Sequence, residues 1–195
     1  MTQPHVVFAT RNAGKAREVA AILADLDLRV APLDDGVALP EEGDEYAANA
    51  IAKALAAARA TGCVALGDDS GLEVDALGGA PGPFSARYGG AGLDDAGRVA
   101  ALLRALEAVP DPERGARFVC VAAVATPLGD VATARGVCVG RLLRAPRGAG
   151  GFGYDPIFAV GERTLAELPA AAKDALSHRG RAFRALAPAL RARLR

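Results

Sequence analysis

The stretch GDDSGLEVDALGGAPG, residues 67–82, decides how this chain is read. It sets two adjacent carboxylates, Asp68 and Asp69, directly after the apolar run Cys63-Val64-Ala65-Leu66. A second short run, Leu72-Glu73-Val74, follows Ser70 and Gly71. Short apolar runs bounded by glycine and polar residues read as strands. The expectation is two strands, 64–66 and 72–74, flanking an acidic turn near the core. Carboxylates in such a place need a cation. With no histidine or cysteine cluster beside them, a hard cation such as Mg²⁺ fits best, because it takes one or two carboxylates, waters and substrate phosphates. Neighbouring side chains on an extended segment point opposite ways, so which aspartate would touch a metal stays open.

Outward from this stretch, strands and helices alternate. Residues 6–10 read as a buried strand, and the polar turn after it opens a helix over about 15–24. Residues 26–30 read as a second strand. Residues 44–61 form an alanine-rich helix that Gly62 is placed to end. A glycine-rich loop over 78–92 leads to a helix over 94–109. Residues 116–125 and 131–139 read as long paired strands. Thr164 to Glu167 fits a capping box. Ser177 caps the last helix, which Pro188 should kink or interrupt. Alternation early and a hairpin in the middle mean α/β with a mixed sheet. No repeat or linker divides residues 1–195, which read as one domain.

Composition narrows the function. The chain is 51% hydrophobic, enough for a large core, and its 23 basic residues balance 23 acidic ones. Zero net charge argues against a nucleic-acid partner. Arginines crowd the last helix and read as a solvated face. Three scattered cysteines show no disulfide framework. The first residues show no signal-peptide core, and no apolar run reaches the roughly 20 residues that span a bilayer. A soluble, cytoplasmic protein with no membrane partner is expected.

Several segments carry chemistry. ATRNAGK, residues 9–15, joins a strand to a helix, and a helix N-terminus with a lysine suits phosphate. It equally fits an ordinary strand–turn–helix, and it lacks Walker A spacing. Asn49 and Lys53 share a helix face, with Glu41 and Glu42 upstream. GAGGFGYDP, residues 148–156, contains GxGxxG, but Pro156 opposes the helix that a dinucleotide fold needs there. The loop instead presents Phe152 and Asp155; the ring either stacks on a base or packs in a turn. His178 and Arg179 begin the last helix, with Lys173 upstream. Ser70 lacks a general base and a nucleophile elbow. Acids and lysines in one cleft make sense if Mg²⁺ and a polyphosphate sit between them. At about 4 Å and an effective dielectric near 20, each unlinked like-charge pair would cost about 4 kcal/mol.

The motifs TRNAGK, EEG with NAxxKA (49–54), DDSGLEVDALGGAPG, SARYGG (85–90), GGFGYDPIF (150–158) and ALSHRG (175–180) occur in order along nearly the whole chain. In this the chain resembles the inosine/xanthosine triphosphate pyrophosphatase family, and its bacterial branch most. That resemblance implies a long mixed sheet bent into two lobes with flanking helices and a central cleft. It implies Mg²⁺-dependent hydrolysis of ITP, dITP and XTP to the monophosphate and pyrophosphate, by a homodimer that cleans the nucleotide pool. By the same likeness Asp69 is the catalytic base and a metal ligand, with Asp68 and Glu41 at the metal too. Thr10, Arg11, Asn12, Ala13, Gly14, Lys15, Lys53, Ser70 and Lys173 match substrate-binding positions. Phe152 matches the base-stacking position, beside Gly153, Tyr154 and Asp155. His178 and Arg179 match a pair that faces the purine 6-position. The Maf-like pyrophosphatases share the architecture but lack the pairing of FGYDPIF with SHRG. A non-catalytic nucleotide sensor would be free to lose Asp69.

Overall fold

A computed structural model describes residues 5–40 and 43–194. The chain runs β1 (His5–Phe8), α1 (Ala13–Ile22), β2 (Arg29–Pro32), α2 (Tyr46–Thr61), β3 (Ala65–Val74) and β4 (Pro81–Gly82). It continues through α3 (Asp95–Ala105), β5 (Gly115–Ala125), β6 (Val131–Leu142), β7 (Phe158–Val160), β8 (Arg163–Thr164), α4 (Ala170–Leu176) and α5 (His178–Arg193). Among the described residues the strands form one eight-stranded mixed sheet, in the order β2-β1-β3-β5-β6-β7-β8, with β4 on β3. The β1–β2 and β1–β3 pairs are parallel; the remaining pairs are antiparallel.

The acidic stretch is not a turn. Residues 65–74 are one unbroken strand, and Asp68 and Asp69 sit mid-strand opposite Ala122 and Val121. Local propensity favours a turn at Asp-Asp-Ser-Gly. The ladder to β5 overrides it, because every backbone pair from Ala65↔Ala125 to Val74↔Ala116 is made.

The long strands run through three apolar clusters. The even-numbered face of β5 meets α1 and α5 through Cys120, Ala122 and Val124. Its odd-numbered face meets the alanine stripe of α2 through Val121, Ala123 and Ala125. Toward the other end, Ala116 and Phe118 join α3, β6 and β7 in a separate core. The even-numbered face of β5 therefore carries one core at each end, with the junction beside Ser70, and the odd-numbered face carries a third against α2. Two glycines allow the close packing. A Cβ on Gly67 would lie 2.4 Å from the Ala50 carbonyl of α2, and one on Gly136 would lie 2.1 Å from the His178 carbonyl of α5.

Other boundaries shift for local reasons. Helix α1 starts earlier, at Ala13, because the Asn12 side chain caps it by accepting from the Lys15 N–H. A 3₁₀ turn occupies 24–26, and β2 begins only at Arg29. Helix α3 stops at Ala105, short of residue 109. The 78–92 loop contains β4 and a 3₁₀ turn. Gly62 ends α2 with φ +67° and its N–H on the Ala58 carbonyl. Pro188 does not interrupt α5, which is continuous to Arg193. Pro188 lies on the exposed face, while Phe183, Leu186 and Leu190 anchor the other face in the core.

Candidate active site

Helix α1 brings Asn12 and Lys15 toward β3, and α5 brings Arg179 from the far end of the sequence. Asp68 is 1% exposed and meets both cations. Its Oδ1 lies 3.2 Å from Lys15 Nζ; its Oδ2 accepts from Arg179 Nε at 3.3 Å and Nη2 at 3.2 Å. Burial alone would raise this carboxyl's pKa. Lys15, Arg179 and Lys53 outweigh burial and hold it well below the usual carboxylate range. Burial and the adjacent Asp68 charge push the neighbouring Cys120 thiol up to about 12, against the pull of Arg179 and Lys15, so Cys120 is an inert core residue.

Asp69 points to the opposite face, as strand geometry requires. It accepts from Asn49 Nδ2 at 2.8 Å, and Lys53 Nζ lies 3.7 Å from its other oxygen. Asn49 and Lys53 are one turn apart on α2, so the helix delivers both. Asn49 also grips Gly43 twice, accepting from its N–H at 2.8 Å and donating to its carbonyl at 3.0 Å. Asn49 thus ties the segment entering α2 to Asp69. Glu41, two residues before Gly43, lies outside the described residues.

The glycine-rich loop of 147–157 supplies the rest. Phe152 packs against Gly14 at the start of α1, where an added Cβ would lie 2.7 Å from the ring. Lys173 Nζ and Arg179 Cζ stand 4.8 and 5.7 Å from the ring centroid. Asp155 Oδ2 accepts from the Phe152 N–H at 2.8 Å and contacts Lys173 Nζ. Burial raises the Asp155 pKa even against the pull of Lys173. The Tyr154 hydroxyl donates to the Ser85 carbonyl at 2.9 Å, joining the loop to the SARYGG segment. His178 stacks on Phe118, with centroids 4.6 Å apart and planes 10° apart. Burial and the adjacent Arg179 and Lys173 push its pKa well below 6.5, so the ring is neutral at physiological pH. Its Nδ1 is buried with no hydrogen-bond partner among the described residues.

These groups surround one cavity of about 300 Å³, a volume suited to a small-molecule ligand. Asn12, Lys15, Asp69 and Ser70 line it from β1–α1 and β3. Phe152, Gly153, Tyr154 and Asp155 line it from the loop, and Lys173, His178 and Arg179 from the last two helices. Lys53 and Asp68 are buried behind this lining. Thr10 supports the turn, its Oγ1 accepting from the Asn12 N–H. Ala13 and Gly14 form the first turn of α1. Arg11 points away, to Asp35 and Val37.

Sequence reasoning passed over several participants. Glu18 bridges Lys173 and Arg179 at 2.6 and 2.7 Å. Its signal was its position three residues after Lys15, on the same helix face. Asp95, which resembles an ordinary first-turn acid, accepts from the Gly153 N–H at 2.7 Å across the cavity mouth. Arg98 lines the cavity from the same turn. Arg179 is 2% exposed and departs from the solvated face expected of the C-terminal arginines; Arg181, Arg184 and Arg191 do lie exposed.

The Ham1 family model matches residues 6–189. The chain belongs to the Ham1 family. It is 50% identical over 184 residues to a dITP/XTP pyrophosphatase of Desulforamulus reducens, covering 92% of each chain. It is 51% identical to a dITP/XTP pyrophosphatase of Geobacter sulfurreducens, covering 91% of this chain and 92% of the relative. Among solved structures, a HAM1 protein from Coxiella burnetii superposes with a TM-score of 0.86 at 43% identity, over 97% of this chain and 99% of that one. A nucleoside-triphosphatase / dITP/XTP pyrophosphatase from Mycobacterium abscessus gives 0.73 at 41% identity, over 95% and 99%. The Ham1 chains share this mixed α/β architecture, which bears out the fold expected from the sequence.

Proposed function

We propose that the protein is a hydrolase that converts the non-standard purine triphosphates ITP, dITP and XTP to monophosphate and pyrophosphate, with the whole chain acting as one two-lobed domain. The observation that carries this reading is the cavity itself. Lys15 of α1 and Asp69 of β3 meet an aromatic loop and buried donors from α4 and α5, in a chain half identical to relatives named for this reaction.

In this reading the N-terminus of α1 and Lys15 receive the phosphates, and Lys53 stabilises the charge near Asp69. Asp69 takes the proton from the attacking water. The water oxygen bonds to the α-phosphorus, and the electron pair of the broken anhydride leaves on pyrophosphate. Mg²⁺, when bound, neutralises phosphate charge and polarises the α-phosphoryl group. Among the described residues no three His, Cys, Asp or Glu side chains gather at one point. A Mg²⁺ that keeps waters and substrate oxygens needs only one or two carboxylates, so Asp69 with Glu41 fits. Asp68 we leave out of the metal set, since both its oxygens are engaged by Lys15 and Arg179 on the other face.

Selectivity follows from hydrogen-bond sense. Lys173 and Arg179 only donate. Hypoxanthine and xanthine offer O6, an acceptor, where adenine offers an amino donor. A buried donor left unpaired is strongly penalised, by as much as about 10⁴-fold. Phe152 supplies the stacking face. We further propose a cytoplasmic homodimer; no helix among the described residues is long and apolar enough to cross a membrane.

The test is pyrophosphate release from ITP, dITP, XTP, GTP, ATP and TTP, with Mg²⁺ and with EDTA. Fast, metal-dependent release confined to the non-standard purines is expected. Release mainly from TTP would point to Maf-like chemistry, and binding without release to a sensor; either sinks the proposal.

A further inference from the structure

We infer that Glu18 is a positioning residue that ties the two base-reading cations, Lys173 and Arg179, to the helix carrying the phosphate end. The inference rests on the function proposed above for this cavity. Glu18 does not line the cavity, whereas both cations do. It stands behind them with its side chain 13% exposed. Its two oxygens divide the work: Oε1 lies 2.6 Å from Lys173 Nζ and Oε2 lies 2.7 Å from Arg179 Nη1. The cations come from different helices, α4 and α5, and both have long, rotamer-rich side chains. One carboxylate therefore sets their spacing.

The donors can be counted. An ammonium has three N–H groups, and Glu18 and Asp155 take two from Lys173. A guanidinium has five; Asp68 takes two, Ser70 one and Glu18 one from Arg179. Against the described residues, each cation keeps one donor for a ligand acceptor. Glu18 helps decide which N–H remains and where it points. Without it, Lys173 keeps Asp155 as its one carboxylate partner among the described residues, and the Nη1 edge of Arg179, whose plane Asp68 and Ser70 still hold, loses its carboxylate.

Glu18 also sits on α1 one turn after Lys15, on the same face. The helix that receives phosphate at its N-terminus thus grips the base readers with its next turn. Filling one end of the cavity bears on the geometry of the other through a single rigid element.

The experiment compares wild type with Glu18→Gln and Glu18→Asp. Calorimetry in EDTA, where nothing turns over, measures binding of ITP, ATP and inorganic tripolyphosphate. Glutamine keeps the shape but can no longer hold two cations by charge. ITP affinity should fall about tenfold, while ATP and tripolyphosphate, which lack the keto acceptor, change less than about threefold. Aspartate, too short to reach both cations, should restore ITP affinity only in part. Unchanged ITP affinity overturns the inference. So does a parallel fall for all three ligands that keeps the ITP-to-ATP ratio, because that is the signature of damage to the fold. A wild-type protein that prefers ITP in binding but releases no pyrophosphate sinks the hydrolysis and leaves Glu18 in its role. A wild type that binds ITP and ATP alike sinks both.

Discussion

Replacing Asp68 by asparagine should weaken the fold at neutral pH and flatten its acid sensitivity. The residue is 1% exposed, and Arg179, its partner, is 2% exposed. Lys15 keeps 17% of its side chain in solvent. The substitution keeps the volume and one acceptor but removes the charge that buried Arg179 and partly exposed Lys15 face. Removing one partner of such a buried group costs about 3–5 kcal/mol. At about 2–4 °C per kcal/mol for a chain of this size, the melting temperature should drop by about 6–20 °C. The pH dependence has a definite sign. Folding lowers the Asp68 pKa below its ordinary 3.8, so in acid the unfolded chain binds the extra proton. The stabilisation is complete above the unfolded value and is lost as pH falls toward the folded one. Wild type should therefore lose stability steeply below about pH 4, and the variant should lose less over the same span. Urea melts at pH 7 and at steps down to about pH 3 measure both effects. A variant within about 2 °C of wild type at pH 7, with the same acid slope, would refute the account of Asp68 as the anchor of Lys15 and Arg179.

Asp69→Asn should lower stability, because buried Lys53 loses a counter-charge, but Asn49 still meets a residue of the same shape and the chain should stay folded, while turnover should fall at least about a hundredfold. Pyrophosphate release near the wild-type rate would remove Asp69 from the chemistry. Phe152→Ala should raise KM for ITP by about tenfold or more, since stacking on a base contributes about 1–3 kcal/mol, with little change in kcat. An unaltered KM would mean that the ring only packs on Gly14. Gly67→Ala drives a Cβ to 2.4 Å from the Ala50 carbonyl and 2.8 Å from the Ala54 nitrogen. Helix α2 must then move, at a cost of about 1–3 kcal/mol. Thermal melts should register that loss, and turnover should fall with it, because α2 carries Asn49 and Lys53; a variant as stable as wild type would show that α2 can yield without cost.

Much of this protein was legible in its residues. Hydrophobic period and turn residues placed most of the strands and helices, because those signals are local: Gly62 and Ser177 end and begin helices through contacts within one turn. The motifs from TRNAGK to ALSHRG pointed to the right family and to the segments that line the cavity. What failed were readings in which a distant partner outvotes local preference. Asp68 to Gly71 have the composition of a turn, yet β5 holds them in a strand. Pro188 ought to interrupt a helix, yet the apolar face of α5 holds it together. Glu18 looked like any helix acid until α4 and α5 folded against it, across separations of 155 and 161 residues. The sequence by itself determined which chemical groups this protein owns and the order of its elements along the chain. Only the tertiary structure decided which carboxylate meets which cation. That choice depends on long-range packing of α1, α2 and α5 on the two faces of β3, and no local pattern encodes which face a distant lysine or arginine will reach.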